Sequence, residues 1–465
     1  MLKGHVQIDL HNHNSGFTER FEQDNMITNA LNKIIPNWMG GNSKYANDGI
    51  MPICNRALGG LMLFDNTLTE DEDNIFFPSE AHLIASAGQG VNSGDPMRGS
   101  RNSSETKALA TGYQTVWDFT TAQANGSIRS LARTLAAGGD WCEPFYGMWG
   151  TQVNALRRLN GDRGFTCTPL CYDEENQEMY FFSTDGRSSS STYDSNRRIY
   201  TYYWTATIYK CYVPTGKYKV ADSAYRCDYP EAVTQVSFDI ERFGDEPWWY
   251  FVNGYDGYAY CIWADQNTSG NGTFRYRKLK LSDYSFELSD EIVVSVASCS
   301  LRGGFNNAII NDGKAILRGY NTRWLYVVDL SNPVNVRAVD LGEGWWSEND
   351  ARFTNMPNGI VKFIITRNSS SASRYYYADA LLYPDGWVVI QAPYRENTGF
   401  AWSYEHRGFR LMTDGLMVWG ANDYNLSYGF LVNNYLGTIC NLSSAVVKTA
   451  ASSMKVSYTL TDVDE

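Results

Sequence analysis

The sequence predicts a mainly β protein, in which an N-terminal α+β module precedes a β-propeller-like or β-sandwich domain and a C-terminal β-strand. Three observations lead to this fold class: a composition rich in aromatic residues and glycine, strand-length apolar runs separated by turn residues, and one helical stripe near the N-terminus. We place the module at residues 1–140, the β domain at 141–435 and the strand segment at 436–465.

The composition favours strands joined by tight turns. Aromatic residues make up 14% of the chain, 32 of them tyrosine, and 40 glycines stand beside only 13 prolines. Hydrophobic residues reach 43% against 19% charged, which excludes a disordered chain. The net charge of −12, with no basic cluster, argues against nucleic acid as a partner.

The N-terminal residues predict one strand and one helix. Val6, Ile8 and Leu10 alternate with polar residues, as in a half-buried strand. After a turn, apolar residues fall on one helical stripe from Met26 to Ile35, and Pro36 ends it. The opening MLKGHVQIDL has no apolar signal segment, and no stretch approaches the roughly 20 apolar residues of a membrane span. We expect synthesis in the cytoplasm and no membrane insertion.

From about Val116 onward, the helical period gives way to strand-like runs of four to eight residues separated by turn signals. Five or six loosely similar units, with starts near 165, 232, 305, 352 and 400, are compatible with propeller blades, and a sandwich is the competing architecture. We predict hairpins at the Asp-Gly pairs Asp185–Gly186, Asp256–Gly257 and Asp385–Gly386.

The C-terminal segment returns to clean alternation, with Met454, Val456, Tyr458 and Leu460 on one face. Such a long strand near a chain end is expected to pair with a neighbouring subunit, which would remove its own open edge.

No catalytic signature is present. The sequence has neither a GxSxG elbow nor an HExxH helix, and its nine scattered cysteines lack zinc or redox spacing. We therefore predict no catalytic residue, no cofactor and no metal site. His11 and His13 have the only metal-like spacing, because alternate residues of a strand face the same side, but beside the Asn14–Gly16 turn we interpret them as solvated turn residues.

Two acidic aromatic clusters are the candidate binding residues. They lie in GDEPWWYF and GEGWWSENDARF, and the candidates are Trp248, Trp249, Trp345, Trp346, Glu348 and Asp350. Aromatic faces stack on sugars, and carboxylates accept hydrogen bonds from sugar hydroxyls, so either cluster is suited to line a glycan groove. The structural alternative is that the tryptophan pairs fill gaps between sheets. Paired carboxylates are also what a glycosidase requires.

Three stretches resemble tail proteins of phages and prophages of Gram-positive hosts, namely tail fibre, baseplate or receptor-binding proteins. They are HVQIDLHNHNSG with DNMITNALNKII, then DPMRGSRNSSET with GYQTVWDFTTAQANGSIRSLART, and finally LGTICNLSSAVVKTAASSMKVSYTLTDV. The resemblance covers residues 1–140 and 435–463, and the middle of the chain resembles nothing specific.

The resemblance implies a virion protein of the phage tail, with ends for attachment and a middle for recognition. It also implies other tail proteins as partners, a homo-oligomer that is usually a trimer, and a polysaccharide or protein of the host surface as the contact. The function expected is therefore host-surface recognition, with glycan the preferred ligand. Two alternatives remain open, a tail-borne polysaccharide depolymerase or glycosidase and a purely structural connector.

Overall fold

The computed structural model describes residues 2–30, 58–92, 94–134, 145–147, 152–153, 166–173, 175–176, 178–184, 190–212, 231–242, 249–266, 272–296, 308–319, 323–347, 353–368, 375–390, 395–396, 410–413, 416–420, 426–433 and 435–462. Over these residues the protein is mainly β, and the one helical element bounded in them is a 3₁₀ turn at Pro357–Gly359. The chain divides into two compact units. Unit 1 comprises Met1–Met148, Tyr383–Ala392 and Leu431–Glu465, and unit 2 comprises Trp149–Leu382 and Pro393–Phe430.

The strands are numbered in chain order. The first ten are β1 (Leu2–Asn12), β2 (Thr18–Ile27), β3 (Gly60–Phe64), β4 (Leu83–Ala87), β5 (Ser100–Arg101), β6 (Lys107–Leu109), β7 (Gly112–Phe119), β8 (Gly126–Thr134), β9 (Phe145–Gly147) and β10 (Gln152–Val153). The next thirteen are β11 (Thr166–Asp173), β12 (Glu178–Thr184), β13 (Ser190–Asp194), β14 (Ile199–Tyr212), β15 (Glu231–Arg242), β16 (Trp249–Asn253), β17 (Tyr258–Gln266), β18 (Gly272–Lys280), β19 (Ile292–Val296), β20 (Ala308–Asn311), β21 (Lys314–Arg318), β22 (Trp324–Asp329) and β23 (Val336–Asp340). The last eleven are β24 (Trp345–Ser347), β25 (Thr354–Asn355), β26 (Val361–Asn368), β27 (Tyr375–Leu382), β28 (Val388–Ile390), β29 (Arg395–Glu396), β30 (Arg410–Thr413), β31 (Leu416–Gly420), β32 (Leu426–Asn433), β33 (Thr438–Lys448) and β34 (Ser452–Asp462).

Unit 1 is built on one nearly closed, barrel-like antiparallel sheet. Its strand order is β4-β3-β8-β33-β2-β1-β34-β7-β5, with β6 also on β7. The two ends of this order approach each other at Ser86, which bridges to Arg98 just before β5. The Ser86 amide donates to Met97 O at 2.8 Å, and the Gly99 amide donates to Ser86 O at 2.9 Å.

The alternation in β1 and β34 sets the core of unit 1, as the sequence predicts. Val6 pairs with Tyr458, Ile8 with Val456 and Leu10 with Met454. All six side chains are buried. The predicted pairing of the C-terminal strand with a neighbouring subunit is wrong, because β34 has β1 on one edge and β7 on the other within the same chain.

The predicted N-terminal helix is also corrected, and with it the α+β character of the first module. Met26 and Ile27 end β2, where they pair with Ile439 and Thr438 of β33. The next two amides, of Thr28 and Asn29, donate to Gly437 O and Glu72 O. Backbone groups engaged in this way are not available for helical hydrogen bonds, so the first part of the stripe is extended. The rest of the predicted helix, residues 31–36, lies outside the described residues.

Among its described residues, unit 2 contains five antiparallel sheets. They are β11-β12-β14 with β13 and β15 both on β14, then β16-β17-β18-β19, then β20-β21-β22-β23, then β26-β27 with β24, β25 and β29, and finally β10-β32-β31-β30. One strand from each sheet is a neighbour of one strand from the next, in the closed cycle β11, β16, β20, β25, β30 and back to β11. In the fifth sheet, β10 from the start of unit 2 pairs with β32 from the end of unit 2.

The sequence locates most of these sheets but misplaces one boundary. The segment near residue 232, predicted to start a second unit, is β15, which pairs with β14 and so belongs to the first sheet. The Asp256–Gly257 and Asp385–Gly386 turns are confirmed, with Gly257 and Gly386 at φ 85° and 94°. The pair Asp185–Gly186 lies outside the described residues.

Buried amide or carboxylate side chains end the first strands of three sheets, at Asp173, Asn253 and Asn311. The Asn311 side chain donates from Nδ2 to Met356 O at 3.2 Å and to Ile360 O at 2.9 Å. Asn253 Nδ2 donates to Leu170 O. Each asparagine thus links its own sheet to the adjacent one.

Replacing Asn311 with alanine is expected to lower the free energy of unfolding by about 2 kcal/mol, because two buried carbonyl groups lose their donor. Urea unfolding of the full chain measures this change. Asn196, exposed in the β13–β14 turn, is the matched control, and its alanine variant is expected to stay within about 0.5 kcal/mol. Equal effects of the two substitutions would show that the link between sheets is not stabilising.

Candidate functional site

The structure places the predicted tryptophan residues in different settings. Trp345 and Trp346 lie in β24, where they pair with Arg367 and Thr366 of β26. Trp248, Glu348 and Asp350 lie outside the described residues.

Trp249 belongs to the aromatic core of unit 2. Its ring centroid lies 4.8 Å from that of Phe238, 5.6 Å from Trp204, 5.7 Å from Phe182 and 6.1 Å from Phe251. Edge-to-face packing of this kind stabilises a core. The half-buried Trp249 therefore packs against the core, which is the structural alternative considered for the tryptophan pairs. This packing does not by itself support its predicted contact with a glycan.

His11 and His13 form an edge-to-face ring pair with centroids 5.0 Å apart. His11 Nδ1 is hydrogen-bonded to Thr18 Oγ1 at 2.9 Å, and His13 Nε2 to Ser453 Oγ at 3.2 Å. Within the part of the chain that the structure describes, no group of three or more His, Cys, Asp or Glu side chains is arranged to hold a metal ion.

A strip of tyrosine rings on the first sheet of unit 2 is the strongest candidate for a binding surface. We define the tyrosine strip as Tyr193, Tyr200 and Tyr202. Tyr193 and Tyr200 are paired across β13 and β14, and Tyr202 follows on the same face because side chains alternate along a strand. The strip continues into the core at Trp204.

The rings of the strip lie close enough to form one aromatic surface. The centroid distances are 4.6 Å from Tyr193 to Tyr200, 5.8 Å from Tyr200 to Tyr202 and 6.0 Å from Tyr202 to Trp204, with interplanar angles of 29° to 39°. Exposure falls along it, from 52% at Tyr193 and 37% at Tyr200 to 2% at Trp204. One end of the strip is therefore open to solvent and the other is anchored in the core.

The turn between β13 and β14 holds the exposed end in place. Asp194 Oδ1 accepts hydrogen bonds from the amides of Asn196 at 2.9 Å and Arg197 at 3.1 Å. The Arg197 guanidinium donates to both carboxylate oxygens of Glu241 in β15, at 3.0 and 2.7 Å. This hydrogen bond raises the pKa of Arg197 and lowers that of Glu241. The projecting hairpin is thereby tied to the strand beside it.

Strand β14 carries a further tyrosine, Tyr203, on the face opposite the tyrosine strip. Tyr203 is 38% exposed, nearly the same as Tyr200, and its hydroxyl lies 3.4 Å from Thr192 Oγ1. It does not belong to the strip, so it provides a natural comparison for any role of the strip.

Tyrosine rings offer an apolar face together with a hydroxyl group that donates and accepts hydrogen bonds. A contiguous exposed surface of this kind fits a ligand that has both apolar faces and hydroxyl groups. Pyranose sugars have this chemistry. The sequence signal for the strip is the alternation of Tyr200, Tyr202 and Trp204. This alternation predicts a strand and does not by itself indicate a binding surface.

Among the described residues, no helix has the length and apolar character of a membrane span. No family model matches the sequence, and no curated protein matches it either.

Solved structures give only weak likenesses. An α-L-arabinofuranosidase from Podospora anserina in complex with cellotriose matches with a TM-score of 0.27 and 9% identity, over 65% of this chain and 98% of the other. A subtype N11 neuraminidase-like protein of a flat-faced bat isolate from Peru matches with a TM-score of 0.27 and 13% identity, over 62% of this chain and 91% of the other. At TM-scores this low neither likeness supports an inference about fold or activity.

Proposed function

We propose that the protein is a bacteriophage tail component that contacts the host cell and binds a surface glycan through the tyrosine strip. The exposed, anchored strip is the observation that carries the glycan part of this proposal. The proposal leaves out Trp249, whose ring packs against the core of unit 2, and keeps Trp248, Trp345, Trp346, Glu348 and Asp350 as predicted contacts.

The resemblance of the two chain ends to tail proteins supports a place in the virion. Both of these ends contribute strands to the barrel-like sheet of unit 1, where β1 pairs with β34 and β8 with β33. We propose that unit 1 is the attachment unit, with other tail proteins and further copies of this chain, as a trimer, as its partners.

We further propose that unit 2 is a five-bladed β-propeller that presents the recognition surface. The cyclic order of its five sheets and the return of β10 to the last sheet support this architecture. The net charge of −12 favours neutral or cationic sugars over phosphate-rich polymers.

Adsorption to cells tests this function. Fluorescently labelled full-length protein is expected to label some members of a panel of Gram-positive bacteria. Mild periodate cleaves the vicinal diols of sugars and so destroys the ring faces on which tyrosines stack. Because several weak contacts are lost together, the labelling is expected to fall by about tenfold. Treatment of the cells with trypsin should leave the labelling intact.

The other outcomes are equally informative. Labelling that is lost with trypsin and kept after periodate would contradict a glycan ligand. Labelling of no strain would contradict host contact and favour the structural connector. Release of reducing ends from purified wall polysaccharide would assign the depolymerase or glycosidase activity instead of simple binding.

A further inference from the structure

An exposed aromatic residue of unit 1, Trp387, lies over a histidine that is hydrogen-bonded to two carboxylates. His82 Nδ1 is 2.9 Å from Asp65 Oδ2, and His82 Nε2 is 3.0 Å from Asp385 Oδ2. The imidazole stacks on the indole of Trp387 with centroids 5.0 Å apart and 17° between the planes. We call Asp65, His82, Asp385 and Trp387 the Trp387 site.

The indole of Trp387 is held by its backbone and by the residue beneath the site. Gly386, at φ 94°, allows the tight turn, and the Trp387 amide donates to Asp385 Oδ1 at 2.8 Å. Tyr383 is buried, accepts a hydrogen bond at its hydroxyl from the Leu83 amide at 3.1 Å, and packs edge-on against His82. Trp387 nevertheless remains 55% exposed. The imidazole covers one face of the indole, which leaves the opposite face and the ring edge to account for this exposure.

The charges around the site are mostly negative. Burial raises the pKa of Tyr383, and the carboxylates that raise it further are Asp65, Asp385 and Glu80. The imidazole of His82 can add at most one positive charge to these three carboxylates, so the group as a whole is net negative.

The carboxylate oxygens at the site already have donors. Asp65 Oδ1 accepts from the His82 amide at 2.7 Å, Asp385 Oδ1 accepts from the Trp387 amide, and the other two oxygens are hydrogen-bonded to the His82 ring nitrogens. The site therefore supplies an aromatic face and a negative field more readily than new hydrogen bonds. A quaternary ammonium group needs only those two features, because it has no N–H to donate.

We propose that the open face of Trp387 binds a quaternary ammonium group. This site lies in unit 1, apart from the tyrosine strip, and it extends the proposed function by a second ligand chemistry. An exposed cation–π contact contributes modestly, so the affinity is expected to be weak, on the order of tens of millimolar.

Fluorine NMR of full-length protein labelled with fluorotryptophan tests the proposal, with Trp387→Phe identifying the resonance of Trp387. Choline chloride is expected to shift that resonance saturably with a midpoint on the order of tens of millimolar, with sodium chloride at equal ionic strength as the reference. Dimethylbutanol, the neutral carbon isostere of choline, should give no saturable shift. Asp385→Asn, which keeps an acceptor for the Trp387 amide, is expected to weaken choline binding about fivefold.

An equal response to choline and dimethylbutanol would overturn the proposal and show a merely apolar surface. A stronger response to methylammonium than to choline would also contradict it, because a hydrogen-bonding amine would then be the preferred ligand. No saturable choline shift up to about 100 mM would overturn it as well. Tyr200→Ala should leave the choline response unchanged, so failure at this site is distinguishable from failure of glycan binding.

Discussion

Replacing Trp117 with alanine is expected to lower the free energy of unfolding of unit 1 by about 4 kcal/mol or more. The Trp117 side chain is fully buried, and its Nε1 donates to Gly88 O at 2.9 Å. The guanidinium of the buried Arg133 lies between two rings, with its Cζ 5.0 Å from the centroid of Trp117 and 4.8 Å from that of Tyr458. Alanine would remove the core volume and one of the two faces that pack against the charge.

Urea unfolding of the full chain, followed by circular dichroism, measures this loss. Trp117→Phe is the matched variant, because it keeps an aromatic face toward Arg133 and removes only the hydrogen bond and part of the volume. It is expected to cost about 1 to 2 kcal/mol. A loss below about 1 kcal/mol for Trp117→Ala would contradict the placement of this ring at the centre of the core.

The parts of the fold that the sequence predicts best are those with an unambiguous local period. In β1 and β34 apolar residues alternate without interruption, and the buried faces follow that alternation from Val6 to Leu10 and from Met454 to Leu460. The partners of β34 are not a local property. The strands beside it are β1 and β7, and nothing in the alternation itself distinguishes them from a strand of another subunit.

The helical stripe from Met26 shows how a short apolar pattern misleads. Its first residues satisfy a helical period, yet the pairing of β2 with β1 from Thr18 to Asn25 and with β33 at Met26 and Ile27 extends the backbone. Tertiary hydrogen bonding thus outweighs the local pattern, as it commonly does for short segments.

The sequence singles out the tryptophan pairs and not the tyrosine strip, because the pairs stand within acidic clusters whereas the strip depends on strand register. Trp249 stands beside acidic residues in the sequence, but its strand faces the core of unit 2. Tyr193 and Tyr200 are separated by a turn, and only the register of β13 on β14 brings them together. Which of these rings face solvent depends on that register and on how far each ring lies from the core end of the strand.

The Trp387 site was not predictable from the sequence. His82 and Asp385 are 303 positions apart, and their contact depends on the turn at Asp385–Gly386 being part of unit 1. The Asp-Gly pair predicts the turn itself. The contact of this turn with the distant His82 depends on tertiary structure.

The tyrosine strip is expected to produce a large loss of binding when two of its rings are removed. Tyr193→Ala with Tyr200→Ala removes two exposed ring faces, each contributing about 0.5 to 1.5 kcal/mol, which corresponds to roughly 5- to 150-fold in affinity. Several copies that bind together on a particle would enlarge the effect. The melting temperature should barely change, because both rings are exposed.

The most direct measurement compares Tyr200→Ala with Tyr203→Ala in binding to purified wall glycan from a strain that the unmodified protein labels. The two tyrosines are neighbours in β14 with 37% and 38% exposure, and they lie on opposite faces of the sheet. A role of the strip predicts roughly a 2- to 12-fold loss of affinity for Tyr200→Ala and no loss for Tyr203→Ala, with equal melting temperatures. Equal losses for the two variants, or unchanged binding by Tyr200→Ala, would contradict the assignment of the glycan site to this strip.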